Sequence, residues 1–145
     1  MKGTPALLSG LTGAITLTVA HEVLKRMDPK APRMDLLGMN ALAQVLDRWG
    51  KTPPSRKKLF WYTLAGDLIS NALYYSLTGV GRKHHWLKGS LLGAAAGLGG
   101  VLLPKPMGLN PAYSSRTPQT KAATIALYLL GGLVTAAVIK LLKNR

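Results

Sequence analysis

The sequence predicts an all-α integral membrane protein with four transmembrane helices and one interfacial amphipathic helix. Three observations predict it. Charged residues make up only 17% of the 145, below the usual quarter for soluble domains. They gather at 25–35, 47–58, 82–88 and 140–145. Between those clusters lie apolar runs close to the ~20 residues needed to cross hydrocarbon. Trp61 and Trp86 stand near the starts of two runs, where an amphipathic ring favours the headgroup level.

The expected spans form a single domain over 1–145. The first, 5–24, reads PALLSGLTGAITLTVAHEVL. Its basic start and the TVA at 18–20 imitate a signal peptide with a small-residue cleavage site, but it is expected to be a retained span. DPKAP at 28–32 then breaks the chain. The stretch 34–49 is too polar and too short to cross. At 100° per residue, Asn40, Gln44, Asp47 and Arg48 share one arc, and Met39, Ala41, Leu42, Val45, Leu46 and Trp49 the other. That pattern predicts an amphipathic helix lying in the interface, with Asp35 favouring its N-terminus. The second span is expected at 59–79, the third at 86–103 and the fourth at 122–142. The proline-rich segment 104–121 is expected to be irregular, a contact surface or a cap over the bundle.

Nineteen Lys and Arg against five Asp and Glu give a formal net charge of +14. The basic residues flank apolar runs, so anionic lipids are the expected partners, not nucleic acid. Arg56, Lys57, Lys58, Arg82 and Lys83 are the expected headgroup contacts. Twelve of the 19 fall in the loops after spans one and three. The basic bias therefore orients those loops to the cytoplasm, and a bacterial inner membrane is the expected location.

Several chemistries lack their residues. There is no cysteine, hence no disulfide or thiolate metal site. Of the three histidines, His21 ends span one, whereas His84 and His85 precede span three. These positions lie on opposite membrane faces and cannot share a haem. No nucleophile elbow or phosphate loop occurs. No metal, cofactor or catalytic residue is therefore expected, although a lipid-headgroup enzyme remains open.

Two patterns remain. Gly89, Gly93 and Gly97 recur every fourth residue on one helix face, and Gly10, Gly13 and Gly132 add small positions on spans one and four. Small residues let membrane helices approach closely, either within the chain or as a zipper to another subunit or copy. The second pattern is a polar stripe at helical spacing on span two: Thr63, Asp67, Ser70, Asn71 and Tyr74. Asp67 is expected about 12 Å deep, at 1.5 Å per residue past Lys58. A carboxylate near mid-bilayer costs roughly 2.5–3.5 kcal/mol, so it must face protein or water. His21, with Glu22 beside it, is its expected partner. The leading functional expectation is a non-catalytic accessory or scaffold subunit that packs through its small-residue faces in a membrane complex. The alternative is a small channel or transporter for a proton, ion or small solute, with the Asp67 stripe as its path.

Overall fold

The computed structural model describes residues 3–144, and within them the chain is all-helical. The helices are α1 (Thr4–Met27), α2 (Met34–Arg48), α3 (Arg56–Ser76), α4 (His85–Leu102), α5 (Ala112–Ser115) and α6 (Pro118–Lys143), with a 3₁₀ turn at Leu77–Gly79 after α3. Two of them, α1 and α6, are long and apolar enough to cross a membrane. Among the described residues, the other two long helices do not meet that criterion. α3 opens with Arg56, Lys57 and Lys58 and carries Asp67, while α4 contains Lys88 and five glycines in 18 residues.

The caps explain where the helices begin. The Ser55 side chain accepts from the Lys58 amide and starts α3 before its first apolar residue. Thr117 does the same for the Thr120 amide, with Pro118 at the first helical position. α6 therefore starts four residues before the expected 122, because capping rather than hydropathy sets a helix boundary. In the same way, α3 gives way to the 3₁₀ turn instead of running intact to 79.

The four long helices alternate in direction and pack in the order α3, α1, α6, α4. α1 buries its small residues, Ser9, Gly10, Gly13 and Ala14, together with Leu17 and His21. Its Leu7, Leu8, Ile15, Val19 and Val23 point outward. The glycines explain the tightness of the bundle. A β-carbon on Gly93 would stand 2.8 Å from the Leu129 Cα, and one on Gly97 would stand 2.7 Å from the Ile125 Cα. Gly89 faces Gly132 backbone to backbone across the same α4–α6 seam. Gly10 lies against Ala72 and Ser76 of α3, and Gly13 against Gly131 and Thr135 of α6. Gly131 also receives the Tyr75 ring, whose hydroxyl donates to the Tyr128 carbonyl at 2.7 Å. All six glycines singled out in the sequence are used within one chain.

At one end, α2 and the 104–117 segment close over the bundle. The Arg33 amide donates to the Tyr113 carbonyl at 2.7 Å. The Gln44 amide donates to the Gly108 carbonyl, and the Asn40 side chain accepts from the Asn110 amide. Thr120 reaches the Lys30 carbonyl, and Thr124 the Ser114 carbonyl. The expected cap is therefore present, and it contains the one-turn helix α5. The polar arc of α2 also has a different role from the expected one: Asn40 and Gln44 bind this segment rather than facing open water. At the other end, Lys143 donates to the Gly79 and Gly81 carbonyls and fixes the α3–α4 turn. His84 heads α4 in a left-handed conformation, φ 63°.

Candidate functional site: an acidic cavity among α1, α2, α3 and α6

Three of the five acids converge on one place. Glu22, Asp35 and Asp67 line a cavity of about 40 Å³, together with His21, Thr63, Asn71 and Tyr128. They come from four helices. α1 supplies His21 and Glu22 from its last two turns, and α2 supplies Asp35 from its first. Successive turns of α3 supply Thr63, Asp67 and Asn71, and α6 supplies Tyr128. The i, i+4, i+8 spacing on α3 aligns its three polar side chains along the wall.

The acids differ in their partners. Glu22 accepts from the Lys25 ammonium at 2.7 Å. Asp35 accepts from two groups of the Arg33 guanidinium at 3.0 and 2.8 Å, and from Lys25 at 3.2 Å. Burial pushes the Asp35 carboxyl up, but the Arg33 hydrogen bonds and the Lys25 charge outweigh it, holding the group well below the usual carboxylate range. The same hydrogen bonds raise the Arg33 guanidinium above its ordinary value. Lys25 also sits 5.4 Å from the Phe60 ring centre, so its stem and charge are anchored at the rim.

Asp67 has no such partner. Among the described residues its carboxylate forms no ion pair, and Ser70 donates only to the Asp67 backbone carbonyl. One turn away, Thr63 is 6% exposed and its Oγ1 is buried without a hydrogen-bond partner. Such groups are uncommon, because a buried donor without a partner costs about 1–3 kcal/mol. Gly38 of α2 forms the roof: a β-carbon there would stand 2.5 Å from the Thr63 Cγ2 and 3.3 Å from the Asp67 Oδ2.

The expected pairing of His21 with Asp67 does not form. His21 Nε2 lies 3.0 Å from the Pro32 carbonyl and 3.2 Å from the Met34 amide. The ring therefore ties the α1–α2 connection to the bundle, with Asp35 at 3.9 Å as its nearest α2 acid. A histidine at a helix end has the short Pro32 turn within reach, whereas Asp67 lies deeper in the cavity wall.

The stripe on α3 is also divided. Thr63, Asp67 and Asn71 face the cavity, whereas Ser70 is exposed on the far side of Asn71. Tyr74 donates to the Leu92 carbonyl at 2.7 Å and joins α3 to α4. The headgroup candidates are all exposed, Arg56, Lys57 and Lys58 at the capped end and Arg82 and Lys83 at the other. His84 and His85 belong to that second end, remote from His21. Sequence reasoning missed Asp35, Gly38 and Tyr128. The signal for Asp35 was its place in the first turn of α2, two residues after Arg33. Gly38 and Tyr128 gave none, since only the packing brings them to the cavity.

The chain matches no protein-family model, and no curated protein or solved structure is significantly similar to it.

Proposed function

We propose that the chain is a four-span membrane protein whose working part is the Asp67 cavity, a protonatable, cation-accepting site within the bilayer, and that it belongs to the small channel or transporter class. The distribution of side chains supports four spans. The interior is small and hydroxylated: Ser9, Thr78, Thr120, Thr124 and Thr135 are fully buried. The outer ridges are apolar, with Ile69, Leu73 and Leu77 on and just beyond α3, and Leu87, Leu91, Leu98 and Leu102 on α4, each between 47 and 66% exposed. Water does not tolerate contiguous apolar ridges on that scale, whereas lipid favours them. Exposed cations at both ends suit anionic headgroups. The basic bias directs the capped end to the cytoplasm of a bacterial inner membrane.

One observation carries the functional reading. Asp67 and Thr63 line a common cavity, and among the described residues neither the Asp67 carboxylate nor the buried Thr63 hydroxyl has a protein partner. Such an intramembrane carboxylate is a functional candidate by default. A structural clasp would have bonded it to a neighbouring helix.

The accessory-subunit reading retains one supporting feature, the small residues Ala95, Ala96 and Gly99 on an open groove beside α3. A transport assay separates the two readings. In liposomes, the wild type dissipates an imposed proton or monovalent-cation gradient, and Asp67→Asn assembles normally but does not. Wild-type liposomes that stay tight, with a second protein co-purifying in mild detergent, would establish the subunit reading instead.

A further inference from the structure

The end of the bundle opposite the cap carries cations and no acidic side chain. The five acids of the chain are Glu22, Asp28, Asp35 and Asp47 at the capped end and Asp67 within α3. Every ion pair among the described residues is made at the capped end, by Glu22 or Asp35. At the opposite end stand Arg82, Lys83, Lys88, Lys140 and Lys143, with His84 and His85. Three of these side chains hold the α3–α4 turn. His85 Nδ1 donates to the Thr78 carbonyl at 2.9 Å, and Lys88 donates to the Val80 carbonyl. Lys143 donates to the Gly79 and Gly81 carbonyls at 2.8 and 2.6 Å. Four successive carbonyls are thus taken by basic side chains. A carbonyl accepts an ammonium hydrogen but does not cancel the charge, so the positive charge of this end stays uncompensated by any acidic side chain. Around the turn, the start of α1, the segment 79–87 and the end of α6 enclose an open pocket of about 1090 Å³, at the upper end of the roughly 300–1,000 Å³ of small-molecule sites. Arg82, His84, Lys140 and Lys143 form its polar wall. Val80, Trp86 and Leu87 form its apolar wall and are 61, 48 and 56% exposed.

We propose that this pocket binds one anionic phospholipid of the phosphatidylglycerol kind, its phosphate against Arg82 and Lys140 and its glycerol and first acyl carbons against Trp86 and Leu87. The proposal rests on the reading of the chain as a membrane protein and is independent of the Asp67 cavity. It differs from the general attraction of basic ends to headgroups, because one pocket, saturable by one lipid, is assigned. Charge selects the headgroup. A lipid that carries an ammonium, such as phosphatidylethanolamine, would bring a further cation beside five Lys and Arg with no acidic side chain to receive it. A phosphate without an ammonium meets only donors, and the Arg82 guanidinium offers two parallel N–H groups that match its oxygens. Among the described residues Arg82 and Lys140 enter no ion pair, so both charges are free to be neutralised by a ligand. The apolar wall selects a lipid over a soluble phosphate ester, which would leave Val80, Trp86 and Leu87 uncovered. Trp86 also has the amphipathic ring that favours the headgroup level.

The test uses the full chain in mild detergent and native mass spectrometry with three probes: dioleoyl phosphatidylglycerol, dioleoyl phosphatidylethanolamine and soluble glycerol 3-phosphate. Phosphatidylglycerol should saturate at one molecule per chain, ahead of both others. The double variant Arg82→Gln with Lys140→Gln should weaken it about tenfold or more, as expected for two cations at about 1 kcal/mol each, and bring it level with phosphatidylethanolamine. Arg56→Gln with Lys57→Gln removes the same charge from exposed positions at the capped end and should leave the binding unchanged. Circular dichroism should be the same for all three proteins. Equal binding of the two lipids to the wild type overturns the proposal. Equal losses in the two double variants do so too, since they would show diffuse attraction rather than a site. Glycerol 3-phosphate that displaces the lipid at equal concentration overturns it in favour of a soluble phosphate. The membrane reading is judged separately: a chain that stays monodisperse without detergent removes that reading and the proposal together, whereas a chain that needs detergent and shows no lipid preference removes only the lipid site.

Discussion

Gly38 on α2 lies directly over Asp67 on α3, so close that a β-carbon at Gly38 would stand 3.3 Å from the carboxylate Oδ2. The same β-carbon would stand 2.5 Å from the Thr63 Cγ2. Helix α2 is therefore the roof of the cavity, and its fit depends on the missing side chain. Gly38→Ala should fold, because Thr63 can rotate its methyl away, but it should perturb gradient dissipation. Gly38→Leu should lift α2 and lower stability at the upper end of the roughly 1–3 kcal/mol typical of overpacking. Thermal unfolding in detergent measures both, and a Gly38→Leu variant as stable as the parent would show that α2 does not seat there.

Asp67 itself gives a signed prediction. It lies in the middle of α3 and forms no hydrogen bond through its carboxylate among the described residues. Asp67→Leu should therefore raise stability, by up to about 2.5 kcal/mol, a large part of the insertion penalty of a mid-bilayer aspartate. It should abolish transport at the same time. A stability gain coupled to loss of activity marks a functional group. If Asp67→Leu destabilises the protein instead, the carboxylate is a structural clasp after all.

The α4–α6 seam is predicted to be intolerant on one face only. Gly93→Leu places a side chain where a β-carbon already stands 2.8 Å from the Leu129 backbone. It should cost roughly 3 kcal/mol or prevent assembly. A β-carbon on Gly99 meets only Leu103 Cδ1, at 3.5 Å, so Gly99→Leu should fold normally. Expression yield and size-exclusion profiles compare the two, and equal behaviour would refute the seam.

Asp35 predicts how the capped end responds to acid. Its folded-state pKa is depressed below the unfolded value of about 3.9. The unfolded chain therefore binds the proton more readily, and the contribution of Asp35 to stability is fully present above that range. It is lost as pH falls through the folded value. Hydrogen exchange of the Arg33 amide, which is bonded to the Tyr113 carbonyl, should accelerate as pH drops below about 4, after correction for intrinsic rates. Asp35→Asn should exchange faster already at neutral pH. Unchanged protection in both experiments would mean that Asp35 does not hold the α1–α2 connection.

Topology has its own measurement. On the proposed orientation, in which the basic bias turns the α2 side inward, a reporter active only in the cytoplasm should report when inserted near Pro54 and stay silent at the C-terminus. A bright C-terminal fusion would reverse the orientation without altering the cavity.

The sequence by itself located α1, α2, α3, α4 and α6 to within four residues at each end, though not the one-turn α5, since helices depend on neighbours a few residues away. The amphipathic period fixed α2 to within a residue, 34–49 against Met34–Arg48. The fourfold glycine spacing fixed the face of α4 that meets another helix. The isolated carboxylate marked α3 as the helix with something to explain. Tertiary structure alone decided which groups meet. His21 lies in the same cavity wall as Asp67, yet it bonds to Pro32 and Met34 because the α1–α2 turn brings their backbone groups within reach. Asn40 and Gln44 had the pattern of a water-facing arc, but a segment about 65–70 residues further along the chain supplies their partners. The glycines are compatible with docking to another chain until α3, α4 and α6 of the same chain are seen to fill them. The physical reason is common to all three. Periodicity records which side of a helix is small or polar, whereas the identity of the facing surface follows from the helix order α3, α1, α6, α4, and no local stretch of sequence encodes that order.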